Sequence, residues 1–330
     1  MAFDSLRGVT VQFGGYPYHF YEVWEWDGDA WSLKTTDEIS YLALPAMAFD
    51  SNRGVTVMYG GWGGGGYSDK TWEWDGNEWL LRAEGGPSPR IYHSMAYDSE
   101  RGVTVMFGGE ELADISDGTA YESTWEWDGE TWTEFGVDGP QVLWGGAMAY
   151  DSARGVTVHY GGYGGIGGPS GDETWEWDGV QWIQRDATGP GARAGHVMAY
   201  DTGRSVCVLF GGSCGDSAKE TWEWDGVEWT LRATEGPWPR NHTAMVYDSV
   251  RGVCVLYGGA EQFGDTWDGT ARRGLCEMQA TPARAPSRLW RTTVSTGNLF
   301  YTGEVLPIIA LGHGMGRIGP CGHPKVLPSG

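Results

Sequence analysis

Apolar and polar residues alternate along the chain in short segments, and glycine, aspartate and proline separate these segments. In one stretch the alternating segments are residues 93–97, 103–107, 124–127 and 131–135. β-branched and aromatic residues fill them, as is typical of half-buried strands. Asp128-Gly129, between the last two segments, is a two-residue hairpin signal. The pattern predicts four consecutive antiparallel strands.

This four-strand pattern is repeated along the chain. The phrase Met-Ala-(Phe or Tyr)-Asp-Ser-x-Arg-Gly-Val-Thr-Val recurs with small variations, and its aspartate falls at Asp4, Asp50, Asp98, Asp151, Asp201 and Asp248. A second phrase, Trp-Glu-Trp-Asp-Gly-x-x-Trp, begins at Trp24, Trp72, Trp125, Trp175 and Trp222, and the sixth copy is reduced to Thr266-Trp267-Asp268-Gly269. Four-stranded units that pack face to face and close in a ring form an all-β propeller. A linear solenoid is the alternative, although its repeats are usually shorter or helical.

The repeated charged residues predict a specific arrangement within each unit. Trp125 and Trp127 are two residues apart and point to one face of the sheet, so Glu126 points to the other. A glutamate buried between units needs a partner, and we expect Arg101 to reach it. Asp98, three residues before Arg101, is expected to clamp a turn rather than bind calcium, because calcium needs several oxygen ligands that converge on one point.

Three features recur in phase in the copies: a Gly-Gly doublet after an apolar strand, a tryptophan in the next strand, and a tryptophan after a short turn. An arginine before the first strand recurs too, in Pro89-Arg90 and Pro239-Arg240 and alone as Arg193. Together these features resemble the kelch repeat, over residues 1 to about 268. The resemblance implies a six-bladed kelch-type β-propeller of four-stranded antiparallel blades. Kelch propellers include protein-binding modules, sugar-acting enzymes and structural proteins.

Residues 269–330 form an atypical tail without the repeat phrases. Residues 270–330 carry seven basic residues against two acidic ones, whereas the whole chain has a formal charge of −22. Two interpretations stay open. The tail is a genuine extension that docks through opposite charge, with residues 289–301 as the missing outer strand of the last blade. Or it is non-native and disordered sequence, and the chain is a piece of a longer protein.

The composition and charge of the chain limit the classes of partner that we expect it to bind. A polyanion is repelled by a surface of this charge, so neither nucleic acid nor acidic lipid is expected as a partner. The longest apolar run near the C-terminus, residues 305–311, is too short to span a bilayer. Five cysteines imply no disulfide framework, and Cys207 and Cys254 are expected to be small packed residues. We expect a monomer, located at the cell surface or outside the cell if the chain is a fragment and in the cytoplasm if it is complete.

Two kinds of loop lie at one end of each unit: the loop between the second and third strands, and the loop that leads to the next unit. The sequences of these loops vary between copies. Function usually lies in such loops. Aromatic rings with a few arginines suit a protein, peptide or carbohydrate ligand. The candidate ligand-binding residues are Tyr16, Tyr18, Tyr21, Trp62, Tyr67, Arg90, Trp144, Tyr163, Arg193, Trp238 and Arg240. In the alternative interpretation, the arginines pair locally and the aromatic rings only shield the loops.

Two other roles stay open beside a binding module. One is a galactose-oxidase-like or other sugar-acting enzyme, which needs clustered metal ligands. His93 and His196 share one position in their copies, so both can approach the centre of the ring. Two histidines are thin support, so the sequence predicts no metal site, no cofactor and no catalytic residue. The third role is a structural repeat fragment of a larger bacterial surface protein.

Overall fold

The computed structural model describes the repeated part of the chain in detail. The described residues are 1–14, 22–34, 39, 42–111, 119–120, 122–141, 144–164, 171–212, 219–237, 243–259, 266–269 and 279–281. Their regular structure is all-β, in agreement with the alternating sequence pattern, and each sequence repeat forms one antiparallel sheet.

Six sheets, numbered in chain order, contain four strands each. Sheet 1 contains β1 (Ala2–Asp4), β2 (Val9–Phe13), β3 (Val23–Trp26) and β4 (Trp31–Leu33). Sheet 2 contains β6 (Ala46–Asp50), β7 (Val55–Tyr59), β10 (Lys70–Trp74) and β11 (Trp79–Glu84). Sheet 3 contains β12 (Ser94–Asp98), β13 (Val103–Phe107), β16 (Thr124–Trp127) and β17 (Trp132–Phe135). Within each sheet, strands that are consecutive in this order pair with each other.

The last three sheets repeat this arrangement. Sheet 4 contains β18 (Ala147–Asp151), β19 (Val156–Tyr160), β20 (Thr174–Trp177) and β21 (Trp182–Arg185). Sheet 5 contains β22 (His196–Asp201), β23 (Val206–Gly211), β24 (Thr221–Trp224) and β25 (Trp229–Ala233). Sheet 6 contains β26 (Ala244–Asp248), β27 (Val253–Tyr257), β28 (Thr266–Gly269) and β29 (Gln279–Thr281). Short loop strands form two further sheets, one of β5 (Leu42–Ala43), β8 (Trp62–Gly63) and β9 (Gly66–Tyr67), the other of β14 (Glu110–Glu111) and β15 (Thr119–Ala120).

The fourth strand of sheet 6 comes from the tail. β29 pairs antiparallel with β28, with Thr266 opposite Thr281. The sequence interpretation placed residues 289–301 in this role, but the strand that pairs with β28 is β29, and residues 289–301 lie outside the described residues. Part of the tail therefore completes the last repeat, although it carries no repeat phrase.

The turn between the first two strands is a clamp, as the sequence predicted. The Asp98 Oδ1 atom accepts hydrogen bonds from the backbone N–H groups of Glu100 and Arg101, both at 3.0 Å. The Asp98 Oδ2 atom accepts another from Arg101 Nε at 2.7 Å. Gly102 follows with φ of +72°, a left-handed conformation that glycine adopts without strain. All six repeats contain the same aspartate-to-arginine contact.

The buried glutamates of sheets 1 to 4 each join their own sheet to the next one. Arg101 Nη1 donates to Glu126 Oε1 at 2.6 Å, as expected from the sequence, and Trp177 Nε1 of sheet 4 donates to the same oxygen at 2.7 Å. Trp182 Nε1 of sheet 4 also donates to Thr124 Oγ1 of sheet 3 at 2.8 Å. Since charged groups inside a protein are costly unless they are paired, these contacts fix how consecutive sheets pack.

The core lies between consecutive sheets rather than within one. One apolar cluster joins Val57 and Tyr59 of sheet 2 to Met106 and Trp127 of sheet 3. The second tryptophan of each complete Trp-Glu-Trp phrase is among the largest fully buried side chains: Trp26, Trp74, Trp127, Trp177 and Trp224. Cys207 and Cys254 are packed inside the corresponding clusters, as predicted, and burial raises the pKa of the Cys254 thiol to about 12.

Sheets 6 and 1 contact each other in the same way as consecutive sheets do. Trp31 Nε1 of sheet 1 donates to Thr266 Oγ1 of sheet 6 at 2.7 Å, and the Trp31 ring lies 4.9 Å from that of Tyr257. Arg251 packs against Gly28, as Arg101 packs against Gly179 between sheets 3 and 4. The first strands of the sheets are neighbours in the order β1, β6, β12, β18, β22, β26 and again β1. A cavity of about 230 Å³ lies among these six strands.

Candidate binding surface

Strand direction places the variable loops at one end of the six sheets. In an antiparallel sheet with consecutive pairing, the second-to-third connection lies at the end opposite the first-to-second connection. The connection to the next sheet leaves from that same end. We call this end the loop face. The Asp-Arg turns and the Asp-Gly turns lie at the opposite end, which we call the turn face.

Three consecutive sheets build the loop face with the same backbone pairing. Ala43, in the loop that leads into sheet 2, pairs with Trp62. Trp62 directly follows the Gly-Gly doublet of that sheet. The equivalent pairs are Ile91 with Glu110 in sheet 3 and Trp144 with Tyr163 in sheet 4. Each pair ties an incoming loop to the loop after the second strand. The side chains on these loops therefore stand on a repeated, hydrogen-bonded frame.

Five aromatic residues on this frame form what we call the aromatic row: Trp62, Tyr67, Tyr92, Trp144 and Tyr163. The Trp144 ring centroid lies 5.3 Å from that of Tyr92 and 5.1 Å from that of Tyr163. Trp62 and Tyr67 are cross-strand partners in the β8–β9 hairpin. These distances are typical of favourable aromatic pairs. The structure thus brings Tyr92, Trp144 and Tyr163 together, with Tyr67 close enough to Tyr92 to affect its ionisation.

Tyr92 is held in an unusual backbone conformation. Its φ is +57°, and that of Leu44 at the equivalent position before sheet 2 is +60°. Gly145 and Gly195 occupy this position before sheets 4 and 5, with φ of +74° and +68°. A side chain in the left-handed region costs about 1–2 kcal/mol relative to glycine. The fold therefore presents a tyrosine where glycine would be less strained.

Glu110 is a buried acid beside this tyrosine. Its backbone N–H donates to the Ile91 carbonyl oxygen at 3.0 Å, and Ile91 N–H donates back at 3.1 Å. The residue is only 8% exposed, and none of the described residues offers its carboxylate a hydrogen bond or an ion pair. Burial raises the pKa of Glu110 from 4.5 to about 7. Burial, and next the charge of Glu110, raise the pKa of Tyr92, so the two side chains are close.

The two described candidate arginines are buried beneath the loops. Arg90 is 1% exposed and donates to the carbonyl oxygens of Ser88 and Gly108, both at 2.9 Å. Arg193 is 0% exposed, donates to the Gly211 carbonyl oxygen at 3.1 Å and forms an ion pair with Glu220 at 3.2 Å. Their guanidinium groups hold the loops from inside and face no solvent. Arg193 has the local acidic partner that the alternative interpretation expects, whereas the contacts of Arg90 given above are to carbonyl oxygens.

The remaining candidates cannot be placed. Tyr16, Tyr18, Tyr21, Trp238 and Arg240 lie outside the described residues. Tyr16 directly follows a Gly-Gly doublet, like Trp62, Glu110 and Tyr163. This shared position is the signal that could have identified Glu110, because the residue that follows the doublet belongs to the loop frame. Tyr92 could have been identified as a tyrosine at a position that glycine occupies in two other copies.

The described part of the chain has no lysine or arginine without a partner. Most of them are in ion pairs with Asp or Glu, including Lys34 with Glu25 and Lys70 with Glu84. Arg90 and Arg193 are enclosed by carbonyl oxygens, and Lys219 also has a partner. With a formal charge of −22 on the whole chain, the net charge is strongly negative.

The histidines of the described region are all buried. His93 packs edge-on against Tyr59 with ring centroids 5.7 Å apart, and His196 packs against Tyr160 at 5.8 Å. Burial lowers the pKa of His93 and of His159 to about 3. Among the described residues, no three His, Cys, Asp or Glu side chains are arranged to hold a metal ion. His93 and His196 belong to sheets 3 and 5 and share one sequence position in their copies.

Comparison with known proteins adds no assignment. No protein-family model matches the chain, and no curated protein matches it significantly. No helix in the described ranges has the length and apolar character that crossing a bilayer requires.

Proposed function

We propose that the protein is a kelch-type, six-bladed β-propeller that serves as a binding module. The contacts between sheets 6 and 1 support a closed ring, because Trp31 bonds to Thr266 just as Trp182 bonds to Thr124. The cyclic order of the first strands around a cavity supports it as well. In this architecture the six sheets are the blades, and residues 1–268 with β29 form the ring.

The ligand, a protein segment or a carbohydrate, binds the loop face. The observation that carries this proposal is the aromatic row, with Tyr92, Trp144 and Tyr163 in contact over two consecutive blades. The rings stand on or next to the same paired loop frame, and this pairing limits the motion of the loops before a ligand arrives. Partly exposed aromatic rings held in this way give contact area at low entropic cost.

The test is a screen of peptide and glycan arrays with the whole chain. The matched variants are Trp144→Ala on the loop face and Val227→Ala on the turn face, where Val227 is 78% exposed. Hits that Trp144→Ala removes and Val227→Ala keeps would support binding through the loop face. Hits that survive in Trp144→Ala would overturn the assignment of the face. A screen without hits would leave the structural role as the better explanation.

A further inference from the structure

The charge of the ligand follows from what the loop face offers. Both described candidate arginines are enclosed by carbonyl oxygens, so neither is free to bind an anionic group. The chain as a whole carries a formal charge of −22. An acidic peptide would meet repulsion there without a compensating cation. The described surface is suited to a ligand of the opposite sign.

Glu110 is the residue on the loop face at which a cationic group would be preferred. A carboxylate that is 8% exposed and has no partner among the described residues is unfavourable in its ionised form. A ligand ammonium or guanidinium group placed beside it would supply the missing partner. A neutral sugar hydroxyl can only hydrogen-bond to this group and cannot balance its charge. The buried acid therefore favours a cation over a neutral ligand.

The aromatic row favours the same chemistry. The face of a Trp or Tyr ring is electrostatically negative and attracts a cation within about 6 Å of the ring centre. Tyr92, Trp144 and Tyr163 offer adjacent rings at spacings of 5.3 and 5.1 Å, next to Glu110. Rings plus one desolvated carboxylate is a combination that recognises ammonium and guanidinium groups.

We propose that Glu110 and the aromatic row form a binding site for cationic side chains, and that the ligand is a protein segment rich in lysine or arginine. This inference rests on the proposed binding function of the loop face and specifies its ligand. The cation lies over the rings of Tyr92 and Trp144 and pairs with the Glu110 carboxylate. The general negative charge of the protein attracts the segment, and the site selects it.

The experiment measures fluorescence anisotropy of labelled tetralysine, tetraglutamate and maltotetraose with the whole chain. The variants are Glu110→Gln, Trp144→Ala and Tyr92→Gly, the last of which places at position 92 the residue that Gly145 and Gly195 already provide. The charge control is Glu130→Gln, an exposed acid in a turn-face hairpin. We expect tetralysine alone to bind, and each of the three loop-face variants to weaken it about tenfold. Glu130→Gln should match the wild-type protein.

Each other outcome overturns the inference in a distinguishable way. Equal tetralysine binding by all variants would mean that only the overall charge attracts the peptide, with no site. Binding of maltotetraose or tetraglutamate in preference to tetralysine, lost in Trp144→Ala, would keep the loop face as the binding surface and refute the cationic ligand. Loss in Trp144→Ala but not in Glu110→Gln would remove the buried acid from the site. Absence of binding by every probe would refute the cationic site, while the array screen decides the proposed function separately.

Discussion

The Glu110→Gln variant is expected to be more stable than the wild-type protein at neutral and alkaline pH, and equally stable in acid. Burial raises the pKa of Glu110 from 4.5 to about 7 in the folded protein. Between these two pH values the folded chain keeps a proton that the unfolded chain has lost. The unfolded state then binds fewer protons, so stability falls as pH rises through this window.

The size of the effect follows from the same difference. A change in pKa from 4.5 to about 7 corresponds to about 3 kcal/mol between the two protonation states. The carboxyl group keeps some contact with solvent, which reduces the net effect. Glutamine has nearly the same shape and no charge to desolvate. The variant should therefore gain at most about 3 kcal/mol over the wild-type protein above about pH 8, and nothing below about pH 4.

Urea unfolding followed by tryptophan fluorescence, over a series of pH values, measures this difference directly. The other carboxylates titrate equally in both proteins, so the difference in free energy of unfolding isolates Glu110. Glu130→Gln, in an exposed turn, should give curves parallel to those of the wild-type protein at every pH. Equal stability of Glu110→Gln and wild type at alkaline pH would refute the reasoning, since it would mean that the carboxylate is solvated or paired when folded.

Three other changes have definite expected outcomes. Thr124→Val removes the hydroxyl that accepts a hydrogen bond from a tryptophan of the next sheet, and it should lower the free energy of unfolding, measured in urea, by about 1 kcal/mol. Thr221→Val should be near neutral, because the Thr221 hydroxyl has no partner among the described residues. Tyr92→Gly should lower the melting temperature less than Trp144→Ala does, because the relief of about 1–2 kcal/mol of left-handed strain offsets part of the lost ring contact with Trp144, and an equal or larger drop would contradict this. Tetralysine should bind more tightly at about pH 8 than at about pH 6, because the Glu110 carboxyl loses its proton between these two pH values. His93, whose pKa is lowered to about 3, stays neutral at both. Equal affinity in titrations at the two pH values would contradict this prediction.

The charged contacts within each repeat could be predicted from the sequence because their cause is local. Asp98 and Arg101 are three residues apart across a glycine turn, so the clamp follows from spacing alone. Glu126 alternates with two tryptophans, so it must face the neighbouring sheet, and a buried acid needs a cation. The same residues recur in every copy, so an error in predicting these contacts would have recurred in every copy as well.

The loop face could not be predicted in the same way, because burial there depends on how loops from different repeats fold together. The sequence places Arg90 before a strand but does not show whether its guanidinium meets solvent or the Gly108 carbonyl oxygen. Glu110 belongs to an acidic loop, and only the pairing with Ile91 shows that it is enclosed. β29 has no repeat phrase, so its pairing with β28 left no trace in the pattern.

The positions that depart from the repeat favour the proposed binding module over a purely structural role. At position 92, where two other copies have Gly145 and Gly195, the left-handed backbone of Tyr92 costs about 1–2 kcal/mol. At position 110, burial of Glu110 raises its pKa from 4.5 to about 7, so the ionised form is disfavoured in the folded protein. They lie side by side, on the frame that also carries Trp144. Strained or desolvated residues persist where the surrounding structure holds them in place, and they concentrate at functional sites. Because they coincide on the loop face, whereas the turn face repeats the same clamp in all six copies, we propose the loop face as the ligand-binding surface.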